Sequence, residues 1–378
     1  MKSVRSIIHI IIKKRSDSMS TRSTSIFKDP TVAKHMSLLH DKYVIVFAYK
    51  TPNNIVFVYK SHYIEYLIKG LCIGNSLRNP TYTPTTLTEG EILDNHWSVL
   101  CSFGISTQDK ELDLLSLYWV PKLHKCPFKQ RYIAGSAKCS TKPLSKLLAC
   151  ILSAVKTGFQ SYCDTSYSSG GVNQMWILRN SKDLLEYIQY RSLSSCNSIK
   201  TFDFSNLYTT IPHSKDTIRD LVQLCFIKKN GQRRCKYRVL GRNRSYFVKH
   251  HSDSTKKFSE TDILNMVEFL IDNIFVLFGG LVFQQTVGIH MGTNCAPLLA
   301  DLFLYSYETD FIQGLQKKTE KKLHRSFNFT FSYIDDILSL SNYMFGGFVD
   351  CIYPIELEIN DTTDIDRSIP NSFVKQSM

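Results

Sequence analysis

No cysteine in this chain is followed by another three positions on, although there are eleven cysteines in all. That absence argues against a zinc knuckle and against a secreted disulfide framework. The thiols read as reduced, in an intracellular protein of nucleus or cytoplasm. No apolar run approaches the roughly 20 residues needed to cross a bilayer, so no membrane partner is expected. Ile7–Ile12 is short, is broken by His9, and is flanked by Lys13 and Lys14. Acidic residues are scarce as well, 33 against 46 Lys and Arg, for a net charge of +13. Such a balance suits a polyanionic partner, most simply nucleic acid, with a basic membrane-associated protein as the alternative on charge alone. With 43% hydrophobic and 12% aromatic residues the chain is globular, and 378 residues suffice for one large or two medium domains. Residues 1–28 are rich in Ser, Arg and Lys and nearly free of acids. They read as a disordered N-terminal segment, with a transit peptide as the alternative.

The stretch FTFSYIDDILSLS, Phe329–Ser341, sets Asp335 and Asp336 between two aromatic and β-branched runs. Each run favours a buried strand. Two like charges in a strand interior are costly without a cation, whereas a tight hairpin carries the pair at its tip. A plain acidic turn between two surface strands has the same pattern. A second strand, KTFDFSNLYTTI at Lys200–Ile211, holds one carboxylate, Asp203. Two-metal phosphoryl chemistry needs carboxylates from separate strands to clamp ions about 4 Å apart. Magnesium leaves much of its shell to water and phosphate oxygens. Asp203, Asp335 and Asp336 are the smallest set that meets this need. A strand-end turn residue is the other reading of Asp203.

Four phrases carry a resemblance to reverse transcriptases of Penelope-like retroelements. They are YWVPKLHKCPFKQRYIAGSAKCSTKPLSKLL (118–148), TFDFSNLYTTIPH (201–213), VGIHMGTNCAPLLADLFLYSYE (287–308) and the Asp-Asp hairpin, in the family's order over residues 30–365. The resemblance implies an α+β fold, the fingers and palm of a right-hand polymerase, with an antiparallel sheet, helices packed on one face, and the thumb missing. It implies an RNA-directed DNA polymerase that uses two Mg2+ ions, or Mn2+ in their place. Its partners are an RNA template, a DNA primer and dNTPs. Asp203, Asp335 and Asp336 become catalytic metal ligands, Asp203 and Asp335 the principal ones and Asp336 supporting. Arg131 takes the triphosphate-binding position, where cations stabilise charge on leaving pyrophosphate, and Lys122 is its preferred partner. Tyr208, five residues after Asp203, packs against the nucleotide sugar and selects deoxynucleotides, which also argues against an RNA-templated RNA polymerase. A core tyrosine and a solvated basic loop are the plainer readings of Tyr208 and Lys122.

Gly292-Thr293-Asn294 is a strand-to-helix turn whose glycine lets backbone approach a nucleotide closely; in the family it lies under the nascent base pair. His290 stands where relatives usually have Pro, so it adds a titratable group beside the site. Phe47 and Tyr49 stand where relatives tend to have Pro and Asp, which puts any charged role of that hairpin in doubt. Asp301 reads as structural.

Between Lys228 and Lys257 eleven Lys and Arg face one acid, Asp253, a local balance of +10. Arg233, Arg234, Lys236, Arg242 and Arg244 in this patch are candidate nucleic-acid contacts of a sequence-independent, salt-sensitive kind. A solvated insertion fits the same composition. Helices are expected over Asp29–His40, Thr141–Gly158, Ser181–Tyr190, Ser214–Phe226 and from Ser259. Thr141 and Ser259 serve as N-caps, and Gly158 and Gly279-Gly280 as stops. Thr51–Asn54 reads as a turn between Tyr43–Tyr49 and Ile55–Tyr59. The expected organisation is an N-terminal extension and fingers over 29–199, then a palm over 200–365 carrying a basic insertion at 227–258. An aberrant tail is expected over 366–378, where the family's thumb is not readable. The rival to an active polymerase is a truncated, inactive relic that binds nucleic acid.

Overall fold

The computed structural model describes residues 30–72, 81–105, 112–123, 127, 129–136, 138–190, 196–212, 236–240, 244–248, 257–317 and 321–363. The expected segments 1–28 and 366–378, the helix at 214–226 and most of the basic insertion lie outside them.

The chain divides into two compact units, Met1–Gly70 with Trp119–Tyr132, and Leu71–Tyr118 with Ile133–Met378. In the first, α1 (Pro30–Lys42) leads into an antiparallel ribbon of β1 (Tyr43–Ala48) and β2 (Thr51–Tyr59), followed by α2 (Lys60–Cys72). The turn falls at Tyr49-Lys50, not at Thr51–Asn54. Phe47 pairs with Ile55 but Ala48 pairs with Thr51, so the turn-forming Pro52, Asn53 and Asn54 form an irregularity within the strand. Trp119, 1% exposed, anchors the unit. It stacks on Tyr63 at 4.8 Å, its indole N–H donates to the Tyr63 carbonyl at 3.0 Å, and its backbone N–H donates to the Tyr63 hydroxyl at 3.1 Å. Gly70 is required beneath Tyr132, because a Cβ there would stand 2.3 Å from the ring.

Two main sheets follow, and in the first of them residues Trp119–Lys122 and Lys129–Tyr132 belong to the first unit. One has the order β3 (Tyr82–Pro84), β11 (Leu281–Gln285), β10 (Phe275–Phe278), β4 (Leu115–Lys122), β5 (Lys129–Gly135). Its helix α3 (Glu89–Ser102) starts on a capping box between Thr88 and Glu91. Gly279 and Gly280 do not stop a helix. They are the turn between β10 and β11, with φ of 60° and 80°, the geometry of a type I′ hairpin. The other sheet is wholly antiparallel, in the order β12 (Thr330–Tyr333), β13 (Asp336–Leu340), β6 (Ile199–Ser205), β14 (Glu358–Asp361).

Around these lie α4 (Lys142–Ser168), α5 (Ser181–Tyr190), α6 (Leu207–Thr210), α7 (Glu260–Asp272), α8 (Ala296–Lys317), α9 (Lys321–Ser326) and α10 (Val349–Ile352). Strands β7 (Lys236–Leu240), β8 (Arg244–Val248) and β9 (Lys257–Phe258) form a small sheet of order β8-β7-β9. Helix α4 runs ten residues past Gly158, because a Cβ there meets nothing and the apolar stripe continues to the buried Cys163. Thr141 precedes it without a side-chain cap bond. At α7, Ser259 and Asp262 complete a reciprocal capping box.

Strand alternation sorts the second sheet. Phe202, Phe204 and Ile337 point to one face and join the core built by α4, α7 and α8. Phe331, Leu338 and Leu340 point to the other and pack on Leu184 of α5. The fold is therefore α+β, with an antiparallel sheet whose main helical layer covers one face.

Candidate functional site

β12 and β13 are joined by a two-residue loop, since Tyr333 pairs with Asp336. Ile334 has φ 59°, an uncomfortable value for a β-branched residue. Positive φ at the first loop position alone marks a type II′ turn, whose twist suits a hairpin. β13 then pairs with β6 so that Asp336 stands directly opposite Asp203. Opposed residues of an antiparallel pair project on the same face with Cβ atoms roughly 5 Å apart. That face is the one carrying Leu338, away from the α4, α7 and α8 core. Asn360 of β14 flanks Asp203 on its other side. Asp335 sits in the turn, and its carbonyl accepts a 2.8 Å bond from the Phe204 amide. Asp203 and Asp336 are thus brought together by the ladder itself, with Asp335 adjacent at the tip.

After Asp203 the strand ends at Asn206, whose left-handed φ of 59° starts the single turn α6. Tyr208 lies in that turn and packs partly against the main core. Its carbonyl accepts from Ile289 at 2.5 Å, and Gly288 donates to Ile211 at 2.9 Å. Gly288, with φ 86°, rests on the backbone of Tyr208 and Thr209, where a Cβ would come within 2.6 Å. This ties α6 to the strand-to-helix turn. There Gly292 has φ 119° and accepts from the Ser136 hydroxyl at 2.7 Å. A Cβ at 292 would crowd His290, Ala134 and Ser136. Ser136 is a clamp that sequence reasoning missed, since a lone serine 156 positions away leaves no pattern.

His290 corrects an expectation. It is 4% exposed, and burial pushes its pKa down to about 4, so it stays neutral instead of supplying a titrating charge. Asp301 pairs with Lys156 at 2.6 Å, both side chains 16% exposed, as suits a structural carboxylate. Behind the Asp203 strand, Phe204 meets Tyr353 edge-on at 5.1 Å. The Tyr353 hydroxyl donates to Glu308 at 2.9 Å, and burial raises the Glu308 carboxyl to about 8.

Lys122 and Arg131 belong to the first unit, where they converge on Tyr49. The Arg131 guanidinium lies 4.5 Å from the Tyr49 ring centre and donates to the Tyr49 hydroxyl. Lys122 and Lys50 approach the same ring at 5.8 and 5.6 Å. An aromatic face attracts cations, and the Tyr49 ring gathers three of them. Sequence reading had no signal for this, because the partners are 73 and 82 positions away. Of the candidate nucleic-acid contacts, Lys236 and Arg244 lie on β7 and β8, and Arg233, Arg234 and Arg242 lie outside the described residues.

The donors at the hairpin have the chemistry magnesium takes, one or two carboxylates with water and phosphate completing the shell. Among the described residues no three His, Cys, Asp or Glu side chains gather into a larger metal-holding group. No described helix is long and apolar enough to cross a membrane.

Telomerase from Candida albicans, in complex with the TWJ fragment of telomeric RNA, superposes with a TM-score of 0.54 at 13% identity, covering 86% of this chain and 50% of that one. Telomerase from Candida tropicalis with the same kind of RNA fragment gives 0.53 at 11% identity, over 89% and 48%. The fold is reverse-transcriptase-like. The chain spans about half the length of these neighbours. No protein-family model matches the sequence, and no curated protein does.

Proposed function

We propose that the chain is the fingers and palm of an RNA-directed DNA polymerase of the Penelope-like kind. It would extend a DNA primer on an RNA template by adding dNTPs. The observation that carries this reading is Asp336 standing opposite Asp203 beside a tight Asp-bearing turn, in a fold of reverse-transcriptase type. The RNA held by the neighbouring telomerases supports a nucleic-acid partner here too. The reaction joins the primer 3′-hydroxyl to the α-phosphorus of the nucleotide and breaks its bond to pyrophosphate. Asp203 and Asp336, with Asp335, would hold Mg2+ or Mn2+. When bound, the metal lowers the pKa of the attacking hydroxyl and neutralises phosphate charge.

The protein's own residues do the rest. Arg131 and Lys122 bind the triphosphate, Arg131 oriented by the Tyr49 hydroxyl. Tyr208, fixed by the Ile289 amide, meets the sugar and disfavours a 2′-hydroxyl. The Gly292 turn, held by Ser136, offers bare backbone to the base pair. Neutral His290 adds no charge there. A binding role without polymerisation is the second reading, favoured by Tyr49 and His290 standing where the family tends to have Asp and Pro.

Primer extension on an RNA template decides between the two. The wild-type chain should extend with Mg2+ or Mn2+, and Asp336→Asn or Asp203→Asn should abolish extension while leaving the fold intact. Extension at the wild-type rate by either variant overturns the assignment. Salt-sensitive binding of template and primer without extension by the wild type selects the second reading.

A further inference from the structure

The β1–β2 ribbon has apolar side chains on both faces. Val46, Ala48 and Val58 are buried. The alternate residues pair across the strands as Tyr43 with Tyr59, Ile45 with Phe57, and Phe47 with Ile55. They form a continuous outer face on which Phe47 is 61% exposed, Tyr59 60%, Ile55 56% and Ile45 42%. An antiparallel ribbon with one covered face ordinarily alternates apolar-in and polar-out, so a second apolar face marks an interaction surface. The rings are arranged, not scattered: Tyr43 lies 4.7 Å from Tyr59 and meets Phe57 edge-on at 6.3 Å.

Charge identifies the occupant. Over residues 30–70 and 119–132 nine Lys and Arg accompany only two acids, Asp41 and Glu65. Lys42 and Lys60 bracket the Tyr43–Tyr59 end in sequence. At the turn, Lys50, Lys122 and Arg131 crowd around Tyr49. A protein partner would have to bring unusual negative charge to so basic a surround. A single strand of nucleic acid brings phosphates for the cations and base faces for the rings. Stacking on exposed aromatics beside a basic track is how such strands are held without sequence preference.

We propose that the outer face of β1–β2 is a binding platform for single-stranded nucleic acid. Bases lie on Tyr43, Phe47, Phe57 and Tyr59, and the backbone is led along Lys42 and Lys60 at one end and Lys50 at the other. The strip is roughly 15 Å long, five strand residues at about 3.3 Å each, which seats about two or three bases. This platform stands on the first unit alone and does not depend on the carboxylates being catalytic.

The test uses the full chain and a labelled 12-nucleotide single-stranded RNA, followed by fluorescence anisotropy. Phe47→Leu with Tyr59→Leu keeps the face apolar and the charge unchanged but removes two exposed rings. Single-strand affinity should fall about a hundredfold, a tenfold loss for each ring. Binding of a 12-base-pair duplex, held by charge, should change less than threefold. Leu281→Ser, at an exposed apolar position of the second unit, should bind like the wild type, and no arm of the test reads polymerase activity. Unchanged thermal unfolding verifies that the leucine variant folds. Undiminished single-strand affinity in that variant overturns the proposal. So does loss of a wild-type dimer by sedimentation in Phe47→Ser with RNA binding intact, which would make the face a contact between copies. Ring-dependent binding to phosphatidylserine vesicles with ring-independent RNA binding would assign it to a lipid surface and overturn it equally.

Discussion

Two hairpins of this chain have tips of the same length and sides of opposite character. β1–β2 turns through Tyr49 and Lys50, and β12–β13 through Ile334 and Asp335. Each forces a non-glycine residue into the left-handed region, Lys50 at 63° and Ile334 at 59°. The basic tip strains its second loop position, which marks a type II turn, and a three-residue irregularity in β2 sits beside it. The acidic tip strains its first position and needs no such correction. Along the sides, Ile337, Leu338 and Leu340 are all sealed, whereas Phe47, Ile55 and Tyr59 face water. A sealed hairpin makes its tip a fixed mount for charges. An open one makes its side a surface for something else to cover.

The sharpest way to break this contrast is truncation. Ile337→Ala, at a site with no exposure, should cost about 2–5 kcal/mol. Phe47→Ala should cost no more than about 0.5 kcal/mol. Chemical denaturation of both variants measures the difference, and equal losses would mean that the β1–β2 face is not open. Next in size is ionisation behind the acidic strand. Glu308 holds its proton to about pH 8 when folded, against an ordinary value of 4.5. The folded state therefore binds more protons than the unfolded one between those values, and stability falls as pH rises through that window. The slope is at most about 1.4 kcal/mol per pH unit. Glu308→Gln should flatten it and raise the melting temperature above pH 7, read from thermal unfolding at pH 5 to 8. The smallest effect is at the tips. Ile334→Gly and Lys50→Gly each relieve backbone strain of about 1 kcal/mol, partly offset by glycine's greater unfolded freedom. Ile334→Gly should gain more stability, because its side chain is β-branched. A larger gain at Lys50 would reverse the ranking of the two turns.

Much of the acidic hairpin was legible from residues. Its flanking β-branched and aromatic runs, the isolated Asp203 strand and the Ser259–Asp262 box are local patterns, and local patterns survive folding. Two departures came where a glycine was read without its neighbours. Gly158 looked like a helix stop but lies in open space on a helix whose packing continues. Gly279-Gly280 looked like another stop and is a hairpin turn. The gathering of cations on Tyr49 and the clamp of Ser136 on Gly292 join positions more than 70 residues apart, which no window along the chain can contain. At His290 the chain carries no hint of burial, so a residue expected to titrate is instead held neutral by the absence of water.

Strand β6 is hydrogen-bonded along both edges, to β13 on one side and β14 on the other. A shift of one residue would swing Asp203 to the opposite face and bury a carboxylate among Phe202's neighbours. The β6–β13 ladder thus fixes where the Asp203 and Asp336 side chains start, while their own torsions orient the two carboxylates. Register is therefore the one freedom this strand lacks: its acid can turn in place but cannot move along the sheet.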